Sequence, residues 1–169
     1  MDANALRALQ APLKERYKQD PAAALVTLKA QAAIDDARVA CKVETGRALA
    51  IAGLHPATGG TGAEICSGDM LLEALVACAG VTLKAVATAL EIPLRAGTVR
   101  AEGDLDFRGT LGVDKTAPVG FRAIRLAIEL DTDAPQEMID KLLKLTERYC
   151  VVFQTLAGQP QLTATVARP

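Results

Sequence analysis

Aromatic side chains and histidine are scarce in this sequence. Phe, Tyr and Trp together make up 3% of the 169 residues, Trp is absent, and His55 is the single histidine. A surface that binds nucleic acid by base stacking needs aromatic side chains, so the composition argues against one. Lys and Arg number 19 and Asp and Glu number 20, so the excess of positive charge that marks nucleic-acid-binding domains is missing too. We therefore expect no nucleic-acid partner.

Cysteine is also sparse, with four residues scattered along the chain: Cys41, Cys66, Cys78 and Cys150. So few cysteines, with no CxxC pair among them, do not build the dense disulfide framework of small secreted domains. With a single histidine and no CxxC pair, the sequence also lacks the ligand spacing that is typical of a structural zinc site. The glycine-rich segment 59–62 lacks the Lys-Ser/Thr of a phosphate-binding loop. The sequence thus predicts no metal and no cofactor, and leaves open which thiols are reactive.

Targeting signals are missing from the sequence as well. The N-terminal residues lack the basic start and apolar run of a secretory signal peptide, so we expect a cytoplasmic protein. Residues 70–90 are largely apolar and long enough to span a membrane, but Glu73 and Lys84 interrupt them, and a spanning helix tolerates such charges poorly. We interpret this segment as the core helix of a soluble protein with no membrane partner.

The first part of the chain predicts one helix followed by strands. Leucines at helical spacing predict an amphipathic helix over 4–19. We therefore divide the chain into an N-terminal helical extension, 1–21, and a single domain, 22–169. Short alternating patterns then predict an antiparallel meander of three strands, over 26–32, 38–44 and 47–52.

A long helix over 69–91 is the central prediction. Ser67 or Asp69 is its expected N-cap. At 100° per residue, Cys78 lies about 180° from Asp69, in the middle of a wide apolar face. A helix of roughly 35 Å that is apolar over so wide an arc needs cover on most sides. We place it at the centre of the fold or at a subunit interface.

The remaining elements predict an α+β fold with antiparallel sheets. Apolar and polar residues alternate over 99–107 and 123–130, which predicts a long antiparallel hairpin. Pro135 opens a further helix, with a break or second short helix near Cys150. A closing strand is predicted over 162–167. Strands and helices do not alternate as in βαβ units, which gives the fold class.

Two cysteine motifs resemble those of the OsmC/Ohr family. Gly59-Gly60 and the segment 67–78, SGDMLLEALVAC, are similar to the family signature that leads into its central helix. The segment 147–152, ERYCVV, is similar to the motif of the second family cysteine. The resemblance implies an OsmC-like fold and an intertwined homodimer, with paired central helices wrapped by sheets from both chains.

The resemblance also implies a thiol-dependent peroxidase that reduces organic hydroperoxides. Cys78 would attack the peroxide and Cys150 would resolve the product as a disulfide, which a dithiol reductant would reopen. Burial raises the pKa of a thiol from its usual value of about 8.5, so Cys78 needs a partner that favours its thiolate. In the family an arginine held by a glutamate provides this. Here Arg47 is the preferred candidate, and Arg38 the second.

The family pattern is altered at several positions. Gly68 stands where the peroxidase branch has its glutamate, so the neighbouring Asp69 is the candidate carboxylate. Val151 replaces a proline that often follows the second cysteine. Because of these departures, two alternative functions stay open. One is a non-catalytic protein that binds a small hydrophobic ligand in the dimer-interface pocket, and the other is a purely structural dimerisation module. We interpret the other two cysteines and the histidine as a core residue (Cys41), an accessory thiol at most (Cys66) and a loop residue (His55).

Overall fold

The structure is a computed structural model that describes residues 2–5, 7–8, 10–11, 19, 31–34, 40–44, 49–112 and 114–168, with 31–34, 40–44 and 49 described by their backbone. Its strands are β1 (Gln31–Ile34), β2 (Ala40–Glu44), β3 (Leu49–Gly53), β4 (Ile65–Cys66), β5 (Ala96–Asp104) and β6 (Ala123–Asp131). Its α-helices are α1 (Ser67–Ala89), α2 (Phe107–Thr110), α3 (Gln136–Tyr149) and α4 (Val151–Ala157), and Pro56–Thr58 forms a 3-10 helix. The predicted α+β class with a long central helix is confirmed.

The first sheet has the strand order β1-β2-β3-β4. Its first three strands are antiparallel, with Ala33 opposite Lys42 and Lys42 opposite Ile51, so the predicted meander is confirmed. Of the first predicted strand, residues 26–30 lie outside the described part. β4 was not predicted, because two residues are too few to show an alternating pattern; it pairs parallel with β3, bringing Cys66 opposite Gly53.

The second sheet consists of β5 and β6, paired antiparallel as predicted, with Val99 opposite Ile128 and Ala101 opposite Leu126. The predicted inward positions are half-buried and alternate with exposed ones. β5 ends at Asp104, three residues earlier than predicted. The Asp106 carboxylate accepts a hydrogen bond from the Arg108 backbone N–H (3.1 Å), which caps α2 and turns the chain out of the strand.

α1 is the central helix, and it begins two residues before its predicted start. Cys66 occupies the N-cap position without a side-chain capping bond. The prediction that Ser67 or Asp69 caps the helix is therefore wrong, since both lie inside its first turn. The chain reverses direction at Glu91, which adopts a positive φ of 59° just before Pro93.

The core lies along one stripe of α1, formed by Leu75, Ala79, Leu83 and Ala87. α1 is long and apolar enough to cross a membrane by length and composition alone. Two clusters cover its buried stripe: Leu142 and Ile92 pack beside Leu83 and Ala87, and Cys150 packs beside Leu75 and Ala79. Half-buried residues of β6 pack against both clusters, and half-buried residues of β5 pack against the second, so we assign α1 as a core helix.

The C-terminal region follows the prediction as far as α4. Cys150 ends α3 and precedes α4, which confirms the predicted break. The strand predicted over 162–167 is wrong, because these residues are irregular and exposed. Leu162 and Val166 are 87% and 89% exposed. Their alternating pattern is typical of a strand, but no strand pairs with this segment in the described part of the chain.

The N-terminal extension contacts the far end of α1. The described residues from 3 to 11 are helical, in agreement with the predicted helix. Arg7 forms an ion pair with Glu91 at 2.9 Å, and both side chains are exposed, so it contributes little to stability. The predicted boundary between residues 21 and 22 lies outside the described part and stays a prediction.

Candidate functional site

Cys78 lies near the middle of α1, directly before the buried Ala79. It is half-buried and packs against the cluster formed by Leu75, Ala79 and Cys150. Residue 78 is therefore at the edge of the buried stripe rather than in its centre. This position gives the thiol a core environment on one side and access on the other.

Cys150 is placed by the break between α3 and α4. Its backbone is extended (φ −73°, ψ 109°), while its N–H still donates to the carbonyl of Thr146 at 2.9 Å. Its Sγ accepts a hydrogen bond from the Phe153 N–H at 3.5 Å, which makes Cys150 the side-chain cap of α4. The residue is 1% exposed. The break thus fixes a buried thiol against the middle of α1.

The surroundings of Cys78 favour its thiolate. Burial raises the pKa of the Cys78 thiol, but hydrogen bonds lower it by more, so the pKa lies below its ordinary value. The donors are the backbone N–H groups of Val152 and Val151 and the side chains of Cys150 and Thr82. Backbone donors at a helix start are a general means of stabilising a negative charge. α4 therefore supplies through its first N–H groups part of what a cation would supply.

The pKa of the Cys150 thiol is shifted in the opposite direction. Burial raises the pKa of its thiol, and the hydrogen bond that it makes with Cys78 raises it further, against the smaller effect of the Phe153 and Val152 N–H groups. The Cys150 thiol thus stays protonated and donates while Cys78 accepts. The pair is asymmetric: one sulfur is prepared to be a nucleophile, and the other keeps its proton until a later step.

An apolar pocket of about 300 Å³ adjoins the cysteine pair. Four of its lining residues also pack in the cluster around Cys78 and Cys150: Leu75, Ile124, Leu126 and Phe153. Arg122 is a charged residue in the same lining. Sequence patterns do not indicate this pocket, because its walls come from α1, from β6 with the two residues before it, and from α4, which are far apart along the chain.

The sequence model of the OsmC-like protein family matches residues 60–165. The chain belongs to this family. A search of curated proteins finds no significant match.

Solved structures of OsmC/Ohr proteins share the fold. An OsmC-like protein from Mycoplasma pneumoniae is 18% identical with a TM-score of 0.65, covering 79% of this chain and 89% of its own. An organic hydroperoxide resistance protein OsmC from Legionella pneumophila is 17% identical with a TM-score of 0.62, covering 79% and 93%. The organic hydroperoxide resistance protein OhrB of Bacillus subtilis is 18% identical with a TM-score of 0.52, covering 78% and 93%. At these identities the likeness shows the OsmC-like fold.

The other residues expected from the family pattern are not brought to the cysteine pair. Asp69 is exposed in the first turn of α1, about 13–14 Å along the helix axis from Cys78 and on the opposite side. It faces a separate groove that Arg100 and Glu102 of β5 also line. Arg47 and Arg38 lie outside the described residues. No arginine contributes to the lowered pKa of Cys78 in the described part of the OsmC-like domain.

The remaining candidates lie outside the pair. Cys66 is half-buried at the start of α1. His55 caps the 3-10 helix by accepting from the Ala57 N–H at 3.0 Å, and its ring stacks on Phe107. Gly59 ends that helix with a φ of 93°, so this glycine serves the turn. Cys41 lies in β2, and its side chain is outside the described part. The described residues hold no group of three or more His, Cys, Asp and Glu side chains placed for a metal ion.

Proposed function

We propose that this OsmC-like protein is a thiol-dependent peroxidase that reduces organic hydroperoxides through Cys78 and Cys150. The observation that carries the proposal is the asymmetric contact between the two thiols. The Cys150 side chain donates to Cys78, whose pKa lies below its ordinary value, while the pKa of Cys150 lies above its own. A nucleophile and a resolving thiol need this division, because attack on a peroxide requires a thiolate.

The reaction divides into two steps at the pair. The Cys78 thiolate attacks the terminal oxygen of the hydroperoxide, the O–O bond breaks, and the alkoxide takes up a proton and leaves as an alcohol. Cys78 is then a sulfenic acid. The Cys150 sulfur attacks the Cys78 sulfur, an S–S bond forms, and the hydroxide leaves as water with the proton of Cys150. A dithiol reopens the disulfide by exchange and is itself oxidised to a disulfide.

The apolar pocket suits the organic part of such a substrate. Its volume of about 300 Å³ is at the lower end of small-molecule sites, and its walls are mostly apolar. Hydrogen peroxide has no organic group to fill it. We therefore expect bulky alkyl hydroperoxides to react faster than hydrogen peroxide.

Turnover of cumene hydroperoxide with dithiothreitol as reductant tests the proposal. Cys78→Ser should abolish turnover, because a serine hydroxyl is not ionised at neutral pH. Cys66→Ser is the matched control, because it removes another half-buried thiol, at the start of α1 and away from the pair. Its turnover should stay within about twofold of the wild type. Full activity of Cys78→Ser would refute the proposal, as would a wild-type protein without turnover.

The second candidate is a non-catalytic protein that binds a small hydrophobic ligand, and the apolar pocket beside the pair favours it. Calorimetry with decanol distinguishes the two. A binding protein would take up decanol and lose it in Ala157→Trp, which fills the pocket from the end of α4, while showing no peroxide turnover. Peroxide turnover by the wild type would decide for the enzyme.

We also propose that the protein is a cytoplasmic homodimer. Two apolar side chains of α1, Leu71 (38%) and Val81 (73%), are exposed in the single chain, together with the C-terminal Leu162 and Val166. A second copy would cover such residues. Light scattering on the purified protein should give twice the mass of one chain. A monomer that turns over peroxide would reject the dimer and leave the peroxidase proposal standing.

A further inference from the structure

A second groove, of about 550 Å³, lies beside the break between α3 and α4. We call it the Cys150 groove, because this cysteine is among its lining residues, whereas neither Cys78 nor Cys150 lines the apolar pocket. Cys150 itself is 1% exposed, but its chain neighbours Tyr149 and Val151 also line the groove and are 59% and 69% exposed. The groove thus places the buried thiol of the pair next to an open surface.

α4 separates the Cys150 groove from the apolar pocket. The helix contributes Val151, Gln154 and Thr155 to the groove, and Phe153, Leu156 and Ala157 to the pocket. At about 100° per residue, the centres of these two sets are about 160° apart, so they occupy opposite sides of the helix. A molecule in the groove and a molecule in the pocket therefore do not compete for the same space.

The charge of the Cys150 groove suits an anionic occupant. Arg148 lines the groove, with its guanidinium 5.7 Å from the centre of the Tyr149 ring. No carboxylate is among the described residues that line this groove. A thiol attacks a disulfide as a thiolate. A guanidinium beside the path attracts this attacking form.

We propose that the Cys150 groove is the site of the dithiol reductant, whose thiolate attacks Cys150 from this side of α4. The reductant sulfur bonds to Cys150, the Cys78–Cys150 bond breaks, and Cys78 leaves as a thiolate. The second reductant thiol then displaces Cys150, and the reductant leaves as a disulfide. Of its two protons, one goes to Cys150 and one to the solvent. The inference rests on the proposed peroxidase function for the origin of the disulfide, but the side of attack is the same whichever oxidant formed it.

The difference between the two thiols favours the same direction of attack. In disulfide exchange, the sulfur whose thiol has the lower pKa leaves faster. The pKa of Cys78 lies below its ordinary value and that of Cys150 lies above its own. Attack on Cys150 therefore releases the better leaving group.

The first test maps the mixed disulfide that a monothiol leaves on the protein. The full chain is oxidised with diamide, which forms the disulfide without a peroxide, and is then treated with 2-mercaptoethanesulfonate, an anionic monothiol. The freed thiol is alkylated with N-ethylmaleimide, and both modifications are located by mass spectrometry. We expect the adduct on Cys150 and the alkylated thiol on Cys78, with the reverse assignment about tenfold less abundant. An adduct mainly on Cys78, equal amounts on both residues, or no Cys78–Cys150 disulfide after diamide would overturn the inference.

A matched pair of tryptophan variants tests the two sides of α4. Thr155→Trp narrows the Cys150 groove, and Ala157→Trp fills the apolar pocket. Thr155→Trp should slow reduction of the diamide-oxidised protein by dithiothreitol about fivefold, and leave oxidation by cumene hydroperoxide within about twofold of the wild type. Ala157→Trp should slow the oxidation and leave the reduction unchanged. Both rates are read as the fraction of free Cys78, by alkylation and mass spectrometry.

Measuring the two half-reactions separately distinguishes failure of the inference from failure of the proposed function. Equal reduction rates for the two tryptophan variants would overturn the inference and leave the peroxidase standing. Slow reduction of Thr155→Trp in a protein that cumene hydroperoxide does not oxidise would support the reductant site and reject the peroxidase.

Circular dichroism checks that Thr155→Trp folds. If it does not, Arg148→Gln replaces it, because this exchange removes the charge of the groove at an exposed position. Arg148→Gln should slow reduction by 2-mercaptoethanesulfonate about threefold more than reduction by the uncharged 2-mercaptoethanol. Equal effects on the two thiols would overturn the inference.

Discussion

At the scale of single residues, the proposed chemistry depends on two sulfur atoms in different environments. Cys150 is buried and makes the hydrogen bonds of a helix cap, whereas Cys78 is half-buried and accepts hydrogen bonds from several donors. A thiol buried in apolar surroundings is normally inert. Here the donors reverse that effect at Cys78 and leave it in force at Cys150.

Replacing Cys150 separates the two chemical steps. Cys150→Ser should still let Cys78 react once with cumene hydroperoxide, because the N–H donors of α4 and Thr82 remain. The sulfenic acid then has no thiol to resolve it. We expect stoichiometric labelling of Cys78 by dimedone in this variant and little labelling in the wild type. Equal labelling of both proteins would contradict the role of Cys150.

At the scale of secondary-structure elements, the start of a short helix stabilises the Cys78 thiolate. α4 follows Cys150 directly, and the backbone N–H groups of its first two residues lower the pKa of Cys78. Neither contact depends on the side chain of Val151, which is 69% exposed. A substitution can therefore remove one donor without disturbing the core.

Val151→Pro is the variant that removes this donor. Proline is favoured at the first position of a helix, and the extended backbone of Cys150 (φ −73°, ψ 109°) is close to what proline requires of the residue before it. The fold should persist while the pKa of Cys78 rises. We expect alkylation of Cys78 near neutral pH to slow about three- to tenfold, since one pKa unit is a tenfold change in thiolate fraction. Val151→Ala is the control, because it retains the N–H. Equal alkylation rates for the proline and alanine variants would contradict this role of the Val151 N–H.

The contact between α1 and α3 illustrates what stabilises the whole molecule. Leu142 is completely buried in the cluster with Leu83, Ala87 and Ile92. The next residue, Leu143, is also a leucine but is 42% exposed. The pair therefore allows a matched comparison of one leucine in the core and one at the surface.

Leu142→Ala should lower the free energy of unfolding by about 2–5 kcal/mol, because it removes buried methyl groups and leaves a cavity. Leu143→Ala should lower it by only about 1 kcal/mol, since 42% of this residue is already exposed to water and its truncation leaves no enclosed cavity. Urea unfolding followed by circular dichroism measures both. Similar losses for the two variants would mean that Leu143 is covered in solution, as by a second copy of the chain.

The fold could be predicted from the sequence where hydrophobic patterns are long. The central helix, the β5–β6 pairing and the break at Cys150 all follow from such patterns or from the family motifs. β4 could not be predicted, because it is two residues long. The pattern at 162–167 indicated a strand, but a strand needs a neighbour, and a single sequence does not show whether one is available.

The candidate site was only partly predictable for a related reason. Cysteines are visible in a motif, whereas the N–H groups of Val151 and Val152 are backbone donors that every residue but proline carries. Two features of the sequence point to these donors: Val151 stands in place of the family proline, and a threonine follows Cys78 by four residues. Asp69 is next to Gly68 in the sequence, but its position on the helix places it opposite Cys78.

The central claim is that Cys78 and Cys150 act as one redox pair within this OsmC-like domain. Mass spectrometry of the purified protein after one equivalent of cumene hydroperoxide tests it most directly. The account predicts loss of both free thiols and a peptide pair joined by a Cys78–Cys150 disulfide, with Cys66 still reduced. Unmodified thiols at both positions, or Cys78 oxidised while Cys150 remains free, would contradict it.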